Sequence, residues 1–163
     1  YTIGPMQIEQ ILGAMGRLYR WILIDLGLPM DESALAWVDA SDLIVLSVLP
    51  EMAGLRNMRL LIDALLARGV DPERLWVVVN RSTIAGGISI ADIEKRLHTD
   101  VRHTIPDDQP LATQAVNRGV PVIASHRRGA LVRAYRGLAA ALRRTLGVAE
   151  EPGARKRFFS RRR

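Results

Sequence analysis

Leu75-Trp76-Val77-Val78-Val79-Asn80-Arg81 decides the fold of this chain. An unbroken apolar run of this length, rich in β-branched residues, fits a strand buried on both faces, and parallel sheets are where both faces of a strand are covered. Ligands of such sheets sit beyond the carboxyl ends of the strands, so Asn80 and Arg81 stand where a nucleotide is read. The Asn80 amide offers a donor and an acceptor together, which complements the edge of adenine. The Arg81 guanidinium is a plane that stacks on a ring or pairs with a carboxylate. An Asn-Arg pair also serves simply to start a loop.

Outward from this stretch the same pattern recurs. Leu43-Ile44-Val45-Leu46-Ser47-Val48 reads as a strand closed by Pro50, and residues 101–105 as another, running into Pro106-Asp107-Asp108. Trp21-Ile22-Leu23-Ile24, ending on Asp25, predicts a further buried strand. Helices are predicted between them. Ile8, Ile11, Leu12, Met15 and Leu18 or Tyr19 recur at helical spacing, as do Leu55, Met58, Ile62, Leu65 and Leu66 before Gly69 at a cap position. A short helix is expected over 35–39. Ser89 with Asp92 in the first turn opens another through Leu97, and residues 111–118 form one stopped by Gly119. The last, over 129–146, is expected to bury Leu131, Tyr135, Leu138, Leu142 and Leu146 and to turn Arg133, Arg136, Arg143 and Arg144 outward. Strand and helix alternating four times spell an α/β fold, a three-layer, mostly parallel sheet flanked by helices with right-handed crossovers.

With 163 residues, 48% of them apolar, the chain can bury one real core. No apolar run is long enough to span a membrane and no signal segment opens the chain, so a cytoplasmic location is expected. There is no cysteine, and His98, His103 and His126 lack the spacing of metal ligands, so no structural metal is expected. Charge is uneven: residues 1–126 carry 11 Lys and Arg against 15 Asp and Glu, whereas residues 127–163 carry 12 against 2. That asymmetry predicts a polyanionic partner for the carboxyl-terminal end. Residues 1–147 are expected to fold and residues 148–163 to form a mobile basic tail. In the run Arg155, Lys156, Arg157, Phe158, Phe159, Ser160, Arg161, Arg162, Arg163, aromatics sit among cations. Such a segment suits a reversible contact with an anionic membrane, and a basic tail on nucleic-acid phosphates looks the same.

A carboxylate at the tip of a buried strand can hold Mg²⁺ or its waters beside phosphates, which makes Asp25 a candidate; strand-end aspartates also serve as turn residues. Gly86-Gly87 lies between strand and helix, but Ile88-Ser89 follows it where a phosphate loop needs Lys and Ser or Thr, so the glycines are read as loop flexibility. No Gly-x-Ser-x-Gly elbow is present.

Taken in order, Tyr19-Arg20-Trp21-Ile22-Leu23-Ile24-Asp25, Ala40-Ser41-Asp42-Leu43-Ile44-Val45-Leu46, Pro50-Glu51, Leu55-Arg56, Val78-Val79-Asn80-Arg81, Ile105-Pro106-Asp107-Asp108 and Ala115-Val116-Asn117-Arg118-Gly119-Val120-Pro121 resemble the MinD/ParA family of deviant P-loop ATPases. The resemblance is strongest to its CpaE/TadZ-like pilus-assembly branch and runs over residues 17–146. It implies ATP and Mg²⁺ as cofactors, with Asp25 as the catalytic, Walker B-type residue near Mg²⁺. It also implies a base pocket lined by Asn80, Arg81, Pro106 and Asp107. Relatives form ATP-dependent homodimers, and many end in a basic membrane-targeting segment, which the run Arg155 to Arg163 resembles.

The resemblance also marks two departures. The family's phosphate loop, Gly-Lys-Gly-Gly-x-Gly-Lys-Thr, is not in this sequence, and Leu26-Gly27-Leu28-Pro29 follows the aspartate where Thr or Ser and then Pro are usual. The chain is therefore expected to be the carboxyl-terminal part of a longer ATPase, binding ATP poorly by itself. The intact protein is expected to dimerise with ATP and position a pilus-assembly or secretion machine at the inner face of the cell membrane. Two alternatives accompany this: a ParA-like partition ATPase on nonspecific DNA, and a scaffold that keeps the fold without catalysis.

Overall fold

The structure, a computed structural model, describes residues 4–27 and 30–147. These fall into two compact units, divided between Thr104 and Ile105.

The first unit opens with α1 (Pro5–Gly16) and α2 (Glu32–Ala40). Strand β1 (Ile44–Val48), α3 (Met52–Ala67), β2 (Leu75–Asn80), α4 (Ile90–Leu97) and β3 (Val101–Ile105) follow, with the last residue of β3 opening the second unit. The strands form one parallel sheet in the order β1-β2-β3. The β1 and β2 register pairs Leu46 with Val77 and Val48 with Val79. One face of the sheet is the core: Leu46, Val48, Leu75, Val77 and Val79 meet Leu55, Met58, Ile62 and Leu65 of α3, Ile93 and Leu97 of α4 and Val38 of α2. Val77 and Val79 are 0% exposed, and a side chain buried so completely contributes about 1.5–3 kcal/mol.

The other face is closed only in part. Trp76 and Val78 are 7% and 2% exposed, yet their register partners on β1, Val45 and Ser47, are open, Val45 by 44%. The central strand is thus buried on both sides, as its unbroken apolar run requires, while β1 at the sheet edge is buried on one.

Caps explain where the helices stop. Past α3, Gly69 adopts φ +92°, its N–H meets the Leu66 carbonyl at 2.9 Å, and the Val70 N–H meets the Leu65 carbonyl at 3.1 Å. This double bond with buried Leu65 and Val70 is the Schellman stop that Gly69 predicts. Asp31 caps α2 by accepting the Ala34 N–H at 2.8 Å, and Ser89 caps α4 through the Asp92 N–H at 3.2 Å. The far end of α2 is held by Arg74, whose guanidinium donates to the carbonyls of Val38 at 2.9 Å and Asp39 at 3.3 Å, and to that of Ser41. Asp39 also pairs with Arg68 at 2.6 Å. The hydrogen bond from Arg68 holds the Asp39 carboxyl below its ordinary range against the cost of desolvation, and the positive charges of Arg68 and Arg74 add to the lowering.

The predicted strand at Trp21-Ile22-Leu23-Ile24 is not formed. These residues have no regular secondary structure, Leu23 is 86% exposed, and the sheet begins at β1. A strand exists only where another strand's N–H and C=O groups face it, and an apolar run supplies no partner. Other side chains depart from their predicted faces: Ile11 and Leu66 are each 37% exposed and Tyr135 40%, while Leu18 and Tyr19 lie beyond α1 and are 77% and 58% exposed.

The second unit holds α5 (Gln109–Arg118), α6 (Val122–Ser125) and α7 (Ala130–Thr145). Asp108 caps α5 by accepting the Leu111 N–H at 3.2 Å, and Gly119 at φ +61° ends it with bonds to Val116 and Ala115. Leu131 and Val132 are the buried residues of α7, while Arg133, Arg136, Arg143 and Arg144 are exposed as predicted.

Candidate functional site

The site is built on the carboxyl end of β2. Val79 is fully buried and the next residue, Asn80, is half-buried, so the chain leaves the core at the first polar side chain. The Asn80 carboxamide oxygen accepts the Arg81 N–H at 3.0 Å. Arg81 adopts φ +55°, a left-handed conformation that costs a residue bearing a Cβ about 1–2 kcal/mol. Strain of this kind gathers at functional sites and also ends helices, as at His98, φ +52°, after α4.

The loop beyond is a run of turns rather than a flexible link. The Ile84 N–H bonds the Arg81 carbonyl at 3.0 Å and the Gly87 N–H bonds the Ile84 carbonyl at 3.1 Å. The Ile88 N–H then reaches the Pro50 carbonyl, beyond β1, at 3.0 Å. Gly86 and Gly87 have separate reasons to be glycine. Gly86 sits at φ +75° in open space, whereas a Cβ on Gly87 would lie 2.9 Å from the Ile84 Cγ2 and 3.2 Å from the Pro50 Cγ. Reading the pair as loop flexibility therefore misses the close approach at Gly87. Pro50, itself buried, is the anchor; the sequence marks it as a strand stop and as part of the family resemblance, and a proline and a glycine pair at two neighbouring strand ends were the available signal for its role here.

Pro106 and Asp107 follow β3 and are half-buried in the second unit. Asp108, next to them, is committed to capping α5. Asp25 lies in the irregular stretch after α1 with an exposed side chain. The structure thus joins Asn80 and Arg81 in one braced loop and places Asp25, and the pair Pro106 and Asp107, on other segments. The run of Arg155, Lys156, Arg157, Phe158, Phe159, Arg161, Arg162 and Arg163 lies outside the described residues.

The Asn80 amide keeps both donor and acceptor capacity. The carboxamide oxygen of Asn80 has two lone pairs, one of them on Arg81, and its nitrogen bears two N–H donors. Among the described residues no three His, Asp or Glu side chains gather where they would hold a metal. Asp25 does not stand at the tip of a formed strand, the position from which it was expected to hold Mg²⁺ or its waters. No helix among the described residues is long and apolar enough to cross a membrane.

No protein-family model and no curated sequence matches the chain. Solved structures do. A ParA family ATPase from Chlorobium tepidum TLS superposes with a TM-score of 0.76 at 19% identity, over 86% of this chain and 57% of that one. The MinC:MinD cell division protein complex of Aquifex aeolicus gives 0.68 at 22% identity, over 95% and 61%. The septum site-determining protein MinD of Pyrococcus horikoshii OT3, complexed with Mg-ADP, gives 0.73 at 18% identity, over 88% and 58%. At these identities the likeness establishes the fold, that of the ParA and MinD P-loop ATPases, and the chain spans less than two thirds of each of these structures.

Proposed function

We propose that this chain carries the base-reading part of an ATPase of the MinD/ParA kind. The observation that carries the reading is Asn80-Arg81 at the carboxyl end of the fully buried central strand, strained and braced in a fold shared with those ATPases. Asn80 meets the adenine edge and Arg81 covers the ring, and the family resemblance also assigns Pro106 and Asp107 to base binding. Asp25 would hold Mg²⁺ directly or through water, and the ion supplies charge neutralisation at the phosphates when bound. Similar solved structures include a MinD with Mg-ADP and a MinD with MinC, which supports a nucleotide and a protein partner for the longer protein.

In that longer protein, ATP favours a homodimer that positions pilus-assembly or secretion proteins at the cytoplasmic face of the membrane. The pilus branch rests on the sequence resemblance over residues 17–146, and the membrane contact on the cationic run ending at Arg163. A ParA-like partition role on nonspecific DNA is the second reading, favoured by the exposed Arg133, Arg136, Arg143 and Arg144 on α7. Leu26, after Asp25, favours a third, a scaffold without hydrolysis, and measurable ATPase activity of the full-length protein removes it.

Asn80→Ala in the full-length protein tests the base pocket. Losing one or two hydrogen bonds to adenine weakens ATP binding by roughly tenfold, with the fold intact by circular dichroism. Unchanged ATP affinity overturns the assignment.

A further inference from the structure

The second unit has a surface that the nucleotide reading leaves unused. From Gln109 to Gly147 the sequence has seven arginines, Arg118, Arg127, Arg128, Arg133, Arg136, Arg143 and Arg144, and neither an aspartate nor a glutamate. All seven are exposed. At the corner between α5 and α6, within eight residues, Val116 is 79% exposed, Val120 40% and Ile123 50%. Arg118 stands inside this corner, Arg127 and Arg128 follow α6, and the Arg136 guanidinium donates to the Arg127 carbonyl at 3.1 Å, tying α7 to the same loop.

We infer that the α5–α6 corner docks on an anionic lipid surface, with Val116, Val120 and Ile123 entering the interface and Arg118, Arg127 and Arg128 meeting headgroup phosphates. Charge complementarity selects an anionic partner, since no acidic side chain of this stretch offsets the arginines. The exposed aliphatics choose among anionic partners. Phosphates of duplex nucleic acid are met by cations and hydrogen-bond donors, and side chains without either add nothing there, whereas every methylene buried in an acyl boundary is favourable. A weak surface of this kind becomes a stable anchor when a second signal acts with it. The inference shares the membrane with the proposed function and does not depend on the cationic run at residues 155–163.

The test is co-flotation of the full chain with phosphatidylcholine vesicles with and without phosphatidylglycerol. Three variants are compared: Val116→Ser with Ile123→Ser, Arg127→Gln with Arg128→Gln, and Arg161→Gln with Arg162→Gln and Arg163→Gln. The substituted side chains at 116, 123, 127 and 128 are exposed, so thermal melts should match the parent chain. The expected result is binding to the anionic vesicles alone, lowered about tenfold by the aliphatic pair and by the 127/128 pair. Should the terminal variant retain binding while the corner variants lose it, the cationic run is not the anchor and the corner is confirmed. Undiminished flotation of the aliphatic variant overturns the inference. So does salt-sensitive binding of duplex DNA, equal in the parent and the aliphatic variant, without vesicle binding. A homodimer that Ile123→Ser dissociates would instead assign the corner to a second copy of this chain, and would also overturn it.

Discussion

The Ile88 N–H donates to the Pro50 carbonyl at 3.0 Å, and this one bond fastens the loop after β2 to the end of β1. The proposed base reader, Asn80, therefore stands on a loop held at both ends, by its own strand and by its neighbour's. Binding residues on a braced loop are already ordered before the ligand arrives, so less ordering entropy is lost on binding.

Gly87→Ala should loosen that brace. The new methyl meets Ile84 at 2.9 Å on one side and Pro50 at 3.2 Å on the other, and overpacking of this order costs roughly 1–3 kcal/mol. Urea titration should show a lower midpoint with the slope unchanged. A midpoint equal to that of the parent chain would mean the loop shifts freely and Pro50 anchors nothing.

Arg81 separates backbone from side chain. Comparing Arg81→Gly with Arg81→Ala removes the guanidinium from both, so the difference reports φ +55° alone, and the glycine form should be more stable by about 1 kcal/mol. In the full-length protein both should bind ATP more weakly than the parent. If both keep parental affinity, the strain serves the turn and not the nucleotide.

Arg74 closes the open end of α2 through the carbonyls of Val38, Asp39 and Ser41. All three bonds come from one terminal nitrogen, Nη2, held in the guanidinium plane, whereas the ammonium of lysine sits on a shorter, flexible stem. Arg74→Ala should cost about 1.5–3 kcal/mol, and Arg74→Lys should recover only part of it in thermal denaturation. Full recovery by lysine would show that charge, not geometry, holds the helix end.

Asp39 gives the acid limb of stability a named component. Its carboxyl is held below the ordinary range in the folded chain, so the stabilisation is present in full above the unfolded value and is lost as pH falls through the lower, folded one. Both partners of the pair are nearly half exposed, so the effect is small and screened by salt. The stability gap between the parent chain and Asp39→Asn should be present at neutral pH and close as the solution becomes strongly acidic. A gap that persists unchanged at low pH would mean the asparagine acts by some route other than the lost charge.

Periodicity and caps carried most of the architecture. The apolar run at β2, the α3 positions Leu55, Met58, Ile62 and Leu65, the Ser89 cap of α4 and the glycine stops at 69 and 119 are local matters of side-chain spacing and backbone freedom, and all stand where the pattern puts them. Trp21-Ile22-Leu23-Ile24 has the same look as the true strands and forms none, because ladder pairing is a property of two segments and the pattern describes one. Tyr135 and Leu66 failed for a related reason: which edge of a helix stripe is covered depends on what packs beside it.

Of the candidate site, the order of residues alone established which side chains stand at the strand ends, since a chain leaving a buried strand must change from apolar to polar where the core ends. The left-handed turn at Arg81, the use of the Asn80 oxygen within its own loop and the anchor at Pro50 needed three dimensions. Each is a contact or a torsion set by neighbours remote in sequence or by the closure of a turn, and no residue type announces it. Covering of a side chain, likewise, is decided by whatever folds over it, which is why Val45 and Trp76, paired in one register on one face, end in opposite environments.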